Sequence, residues 1–440
     1  MAAHDPSFSS ETEHRSWLNQ QATLPAGFQV GSVVVPFIAE ESGNAAKTTL
    51  SVIRLEQPSP SFAACFTRNA FPGAPIVIGR KRLGAKHLAA VVINNKISNV
   101  CAPQGVERSE ALCLATAQAL GVASDAIIPS STGIIGWRLP ADALIAGLPN
   151  ALDSLQSESI MPAAIGIMTT DLYPKIRRFD FPGGGSIVAI AKGAGMVEPN
   201  LATMLVYILS DIVVERDALR STLSTAMEQS FNTISIDSDQ STSDTVLCVS
   251  SNRVPGISLE QFAPALNKVC AELAEDVVRN GEGVRHVQQV TVSGAPDAAT
   301  ARAIGKSVIN APLWKTALAG NDPNVGRLIM AVGKEMGNHY PQLLADKVCI
   351  DIDGIMIFDA GQFALDPKRE QQLKTLFINS ELYPASPASD GITFTPPVTY
   401  PPHPRCIPIH INLKQGNAVA TVIGGDLTHE YVTENADYRS

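Results

Sequence analysis

The chain has 440 residues, 45% of them apolar and 17% charged, with a net charge of −9. That length exceeds one simple core, so two or three structural units are expected. The acidic balance argues against a nucleic-acid or anionic-membrane partner, either of which favours a basic face, while a local basic site for a carboxylate ligand stays open.

The head, MAAHDPSFSSETEHRSW, carries acids and lacks a basic start followed by an apolar core, so it does not read as a targeting signal. No stretch offers about 18 uninterrupted apolar residues, so no membrane span is expected. Of the seven cysteines none forms a CxxC pair and most sit in apolar runs. They read as small buried thiols of a reducing compartment. The expectation is a cytoplasmic protein whose residues 1–22 form a disordered tail.

In chain order, HLAAVVINN (His87 to Asn95) reads as a buried strand. SEALCLATAQALGV reads as a helix with Ser109 as N-cap and Gly121 near its end. SSTGIIG (Ser130 to Gly136) is a Ser/Gly turn. Two strand-like pieces, SIVAIA and TMLVYILS, are joined by the glycine-rich KGAGMVEPNLA. ERDALRSTLSTAMEQSFNTI has helical periodicity, DTVLCVSS looks like a strand, and LEQFAPALNKVCAELAEDVVRNG like a long amphipathic helix. VQQVTVSGA alternates as a strand, PPHPRC is a Pro-rich loop, and HINLKQGNAVATVIGGDLT resembles a hairpin. Mixed α and β elements with many hairpin-like strand pairs point to layered α+β structure rather than a plain doubly wound sheet.

The chemistry concentrates around MVEPNLATML (Met196 to Leu205). A hydroxyl nucleophile needs a base beside it. Cleavage of the peptide bond before Thr203 would free an α-amine, with a reference pKa of about 7.7–8.0, within reach of that residue's own hydroxyl. Taken locally, Ala202-Thr203 before a strand is equally an ordinary structural pair, STG an ordinary turn, Lys192 a solvated lysine and Glu282 a loop charge.

KGAGMVEPNLATML resembles the self-cleavage segment of the ornithine acetyltransferase (bifunctional glutamate N-acetyltransferase) family. PAGFQVG, FTRN, SSTGIIGWRLP, IMTTDLYPK, FNTISIDSDQSTSDTV, RNGEGVRHV, PLWKTALAGNDPNVGR and DLTHEYVTENADYRS are similar to family segments in family order, from about residue 23 to the last. The resemblance implies a layered α/β/β/α self-processing fold with additional α/β subdomains. It implies cleavage between Ala202 and Thr203, giving an α piece (23–202) and a β piece (203–440) that stay associated. Thr203 would be the nucleophile, and Thr132 with Gly133 the oxyanion hole. Thr169, Lys192, Thr203, Glu282, Asn435 and Ser440 would bind substrate, Lys192 the α-carboxylate and Glu282 a cationic side-chain amine. The implied activity carries an acetyl group from N-acetylornithine to glutamate through acyl-Thr203, in arginine biosynthesis or a specialised pathway. It needs no cofactor or metal, its partners are small amino acids, and a homo-oligomer of two-piece protomers is expected.

Some positions depart from the family pattern. NNKISNVCAPQG (Asn94 to Gly105) replaces a segment like NSGNANACTG, Trp137 follows the STG turn, DPNVGR replaces DPNWGR, GGD stands where a Cys precedes DLT, and His286 replaces a common Lys. The departures around Lys96, Pro103 and Trp137 are expected to bear on substrate choice. A hydrolase of the same fold, which discharges the acyl-enzyme to water, is the alternative reading. A dinucleotide oxidoreductase lacks GxGxxG between a strand and a ribose-binding acid. A metal centre at His403, Cys406 and His410 lacks zinc spacing. A non-catalytic scaffold is at odds with the retained Ala202-Thr203, Thr132-Gly133, Lys192 and Glu282.

Overall fold

The computed structural model describes residues 6–198, 204–385 and 398–436. Two sheets face each other at its centre. The first has four strands, in the order Phe28–Ile38, Ala45–Ser59, Leu88–Asn94 and Ile127–Ser131. The second has five, in the order Phe62–Phe66, Thr245–Val254, Leu205–Ile212, Ser186–Lys192 and Lys175–Asp180.

Alternation along each strand sorts side chains between two layers. Ile53, Val91 and Ile93 of the first sheet meet Val188, Ile190, Leu205, Tyr207 and Leu209 of the second in one buried cluster. The opposite face of the first sheet, with Leu50, Val52, Ala90 and Val92, is covered by Leu112 and Cys113 of helix Gly105–Leu120 and by Leu144 and Leu148 of helix Ala141–Asp153. The opposite face of the second, with Ile187, Ala189, Val206 and Ile208, is covered by helices Arg216–Gln229 and Leu259–Arg279. The result is the α/β/β/α layering that the resemblance implies. With both faces of each sheet buried, SIVAIA and LVYIL read as unbroken apolar runs.

A third sheet of seven strands forms the added α/β part, in the order Gln362–Phe363, Ile355–Asp359, Cys349–Ile352, Ile407–Asn412, Val287–Ala295, Ala418–Gly425 and Ile234–Ser235. Helices Ala298–Ile309, Pro312–Ala319, Val325–His339 and Pro367–Ser380 share its core around Trp314.

Three readings need correction. The segment resembling a hairpin is not one: strand Val287–Ala295 inserts between its two arms, parallel to Ile407–Asn412 and antiparallel to Ala418–Gly425. Two strands close in sequence each pair better with a distant apolar strand than with one another. Ser109 is not an N-cap either. The helix starts at Gly105, and the buried Ser109 hydroxyl accepts a 2.9 Å hydrogen bond from Asn99 Nδ2. Gly121 does close that helix, in the left-handed conformation.

The tail expected to be disordered contains helix Glu11–Gln21, capped by the Ser10 hydroxyl accepting from the Glu13 N–H at 3.2 Å. His14 and Leu18 are buried beneath it, His14 lies edge-on to Tyr173, and the Arg177 guanidinium covers Trp17. The polar exterior of this short helix hid an inward face of only a few residues. No helix among the described residues is long and apolar enough to cross a membrane. The cysteines are free; Cys113, Cys248 and Cys270 are buried, Cys65, Cys349 and Cys406 partly so, and Cys101 is exposed.

Candidate active site

Where the central sheets end, a pocket of about 130 Å³ opens, lined among others by Ser98, Thr132, Gly133, Thr169, Thr170, Lys192, Gly195, Ser243, Glu282 and Asn435. Several polar groups converging in one concave pocket mark a small-molecule site. Every expected site residue that lies within the described residues is on this list. Ala202, Thr203 and Ser440 lie outside the described residues.

Strand Ile127–Ser131 runs parallel to Leu88–Asn94, so Thr132 and Gly133 follow directly from a fully buried strand end. Asn94 ties the corner together: its Oδ1 accepts from the Ser131 hydroxyl at 2.6 Å and its Nδ2 donates to the Ile97 carbonyl at 2.8 Å. The Thr132 N–H donates to the Asn94 carbonyl and the Ile134 N–H to the Lys96 carbonyl. Between them Gly133 has φ +119°, and a β-carbon there would lie 2.2 Å from the Lys96 carbonyl group, so only glycine fits. Neither the Thr132 hydroxyl nor the Gly133 N–H has a partner among the described residues. Both line the pocket, as donors awaiting an acceptor must.

Lys192 ends its strand directly opposite Leu205 in an antiparallel ladder. On the other side of Leu205 lies Thr245, in parallel register. The pairing holds Leu205, two residues after Thr203, between the strand ends of Lys192 and Thr245. The Lys192 ammonium donates to Thr169 Oγ1 at 3.1 Å. Burial pulls its pKa down, while Asp171 and Glu282 counteract this. Asp171 is the buried anchor of the loop that carries Thr169. It pairs with Lys175 and accepts from the Gly193 N–H at 2.9 Å and the Thr169 N–H at 3.0 Å. Burial alone would raise its pKa; Lys175, Lys192 and these hydrogen bonds hold it down, to about 2.

Glu282 follows the long helix Leu259–Arg279, and its N–H donates to the Ala194 carbonyl at 2.9 Å. Its carboxylate accepts from Thr170 Oγ1 at 2.5 Å and from Asn435 Nδ2 at 2.7 Å. Burial raises its pKa, and these two donors oppose the rise. The pocket thus presents an ammonium and a carboxylate near each other, each partly desolvated and therefore ready to exchange its neighbour for a ligand group of opposite charge.

The pocket also holds residues whose role the sequence did not disclose. Thr170 and Gly195 shape the seat of Glu282. Ser241 to Ser243, within the quoted FNTISIDSDQSTSDTV segment, form part of the wall. From the same segment, the Asp237 carboxylate accepts from the Met196 N–H at 2.5 Å and the Val197 N–H at 2.7 Å, bracing the chain ahead of the expected cleavage point. Density of Ser, Thr and Asp in that segment was the available signal.

The departures are placed differently from expectation. Lys96, Pro103 and Trp137 are not among the lining residues; Ser98 and Ile135 are. Trp137 packs in a small cluster with Phe37, Ala39 and Ile97. His286 Nδ1 pairs with Asp426 Oδ2 at 2.7 Å in the interior, and Val325 is buried in the core of the third sheet. His403 Nε2 meets the Glu381 carbonyl at 2.7 Å, and exposed His410 lies 3.4 Å from Asp351.

The chain is 35% identical over 379 residues to "Arginine biosynthesis bifunctional protein ArgJ 2" of Clostridium acetobutylicum, covering 86% of this chain and 90% of that one. It is 32% identical to the ArgJ of Nitratidesulfovibrio vulgaris, covering 94% and 99%. A solved "Arginine biosynthesis bifunctional protein argJ" from Bacillus halodurans is 26% identical, with a TM-score of 0.44, over 53% of this chain and 99% of that one. The ArgJ family profile matches residues 38–440. With its ordered motifs and full-length relatives, this chain belongs to the ArgJ family.

Proposed function

We propose that the chain is a self-cleaving acetyltransferase that moves an acetyl group from N-acetylornithine, or a similar N-acyl amino acid, to glutamate through an acyl-Thr203 intermediate, in arginine biosynthesis. The observation that carries this reading is the meeting, in one pocket, of a donor pair with no acceptor among the described residues (Thr132 and Gly133), an ammonium (Lys192) and a carboxylate (Glu282). The names of the relatives, bifunctional proteins of arginine biosynthesis, support the same reading.

Thr203 Oγ attacks the Ala202 carbonyl, and hydrolysis of the resulting ester frees the new N-terminus. A substrate places its α-carboxylate at Lys192 and Thr169, and its distal amine at Glu282 and Asn435. Thr203 then attacks the acetyl carbonyl, its own amine taking the hydroxyl proton. Thr132 and Gly133 donate to the oxyanion, and the departing amine receives the proton. Glutamate reverses these steps. Ser440 completes the substrate contacts, the pieces 23–202 and 203–440 stay associated, and protomers assemble as a homo-oligomer in the cytoplasm.

Intact-mass analysis combined with an assay tests the proposal. Purified protein should give two fragments divided before Thr203, and N-acetylornithine alone should add one acetyl group to the C-terminal fragment. Glutamate should then discharge it as N-acetylglutamate. An uncut chain, or acetate released without any transfer to glutamate, would sink the reading.

A further inference from the structure

Asp237 takes part in no step of the scheme above, yet two walls of the pocket meet on its carboxylate. Oδ2 accepts from the Met196 N–H at 2.5 Å and from the hydroxyl of Tyr431, on the helix that carries Asn435, at 3.3 Å. Oδ1 accepts from the Val197 N–H at 2.7 Å and the Asp239 N–H at 3.2 Å. Met196 is held at φ +56°, in the left-handed region that residues other than glycine rarely adopt. This turn brings two successive N–H groups onto one anion. Strain of this kind persists only where surrounding groups enforce it, and it clusters at functional sites.

The strained residue sits beside the carboxylate of the pocket. Gly195, just before it, lies against Glu282 with no room for a β-carbon. The Met196 side chain is 41% exposed and, with Ile135, supplies the large apolar surface of a pocket otherwise lined by polar residues and glycines. The segment has other anchors. The Ile236 N–H donates to the Val197 carbonyl at 2.6 Å, and the Glu198 N–H to the Asp239 carbonyl at 3.0 Å. The particular effect of the Asp237 carboxylate therefore falls on the turn at Met196.

We propose that Asp237 is a positioning residue for the substrate side chain: it holds Met196 in its left-handed turn, so that Gly195 fits against Glu282 and the Met196 side chain covers the methylene stem of an amino acid whose cationic end Glu282 takes. The inference rests on that reading of Glu282 and concerns binding, not the chemical steps. Covering the stem adds affinity in proportion to the apolar area removed from water.

Calorimetry on the full chain tests it, with ornithine and with norvaline, which is ornithine without its distal amine. Asp237→Ala should weaken ornithine binding roughly tenfold, as a displaced hydrogen bond to a charged group does, and norvaline binding less. Met196→Gly removes the stem contact and should weaken both ligands alike, by about fourfold. Glycine adopts a positive φ without help, so adding Asp237→Ala to Met196→Gly should cost less than about a further twofold. Tyr431→Phe should match the parent. Asp237→Asn keeps one acceptor oxygen, should lie between the parent and Asp237→Ala, and carries the comparison with Met196→Gly if Asp237→Ala does not fold. Parent-like ornithine binding in the Asp237 variants, a loss that persists in full on top of Met196→Gly, or an equal loss in Tyr431→Phe would overturn the inference. A parent chain that binds no ornithine would instead overturn the substrate reading, and the inference with it.

Discussion

Gly195 lies against the Glu282 carboxylate so closely that a β-carbon on residue 195 would sit 2.0 Å from Oε2. The glycine therefore makes room for the acid. Gly195→Ala should push the carboxylate off Thr170 and Asn435, raising KM for a substrate with a cationic end by about tenfold, or about 1.4 kcal/mol. Thermal stability should change little. Michaelis constants for substrates with and without the distal amine check this; equal values in parent and variant would contradict it.

Thr132→Val removes a donor whose hydroxyl has no partner among the described residues. The expected loss in kcat is roughly a hundredfold to a thousandfold, with the fold intact, because such donors act on developing charge. Gly133→Ala differs in kind. With φ +119° and the Lys96 carbonyl 2.2 Å from any β-carbon, it should lose soluble folded protein. Circular dichroism and single-turnover rates separate the two outcomes.

Glu434 lies one residue before Asn435. Burial, with Glu282 and Asp171 nearby, pushes its carboxyl up to about 8. Much of it therefore holds a proton at neutrality. Raising the pH through 8 adds a negative charge beside Glu282, so KM for a substrate with a cationic end should fall across that window. Glu434→Gln should flatten the change. A parent profile without any such drop would contradict the assignment.

Burial, reinforced by Arg177, holds His14 at about 4, below its ordinary 6.5. The unfolded chain binds a proton between these values that the folded chain refuses. Stability supported by this neutral histidine is complete above pH 6.5 and is lost as the pH falls to about 4. His14→Phe, which suits the ring cluster of Phe8, Trp17 and Tyr173, should make the midpoint of denaturation less pH-dependent in that range. An unchanged slope would refute the assignment.

Much of the layered core was legible because strands buried on both faces spell continuous apolar runs, and Ser186–Lys192 and Leu205–Ile212 do so within a residue or two of expectation. Pairing was less legible. Nothing local to Ile407–Asn412 and Ala418–Gly425 says that Val287–Ala295 separates them. Of the site, the polar residues carried by motifs were found, whereas Gly195 and Thr170 were not. Their importance arises from what a distant carboxylate requires of them. Helix Glu11–Gln21 escaped notice because its buried side includes a histidine, which reads as polar until its surroundings are known.

The order of the second sheet has a consequence for the lifetime of the enzyme. Strands Phe62–Phe66 and Ser186–Lys192 precede Thr203, while Leu205–Ile212 and Thr245–Val254 follow it, and the sheet shuffles them together. In a chain cut before Thr203, neither fragment owns all of this second sheet. For such a cut chain, assembly would happen once, while a single chain held both halves at high effective concentration. Unfolding would then become dissociation, and return would need two fragments to meet in dilute solution. A cut molecule would be protected by the slowness of its opening rather than by an equilibrium, and its working life would be a rate.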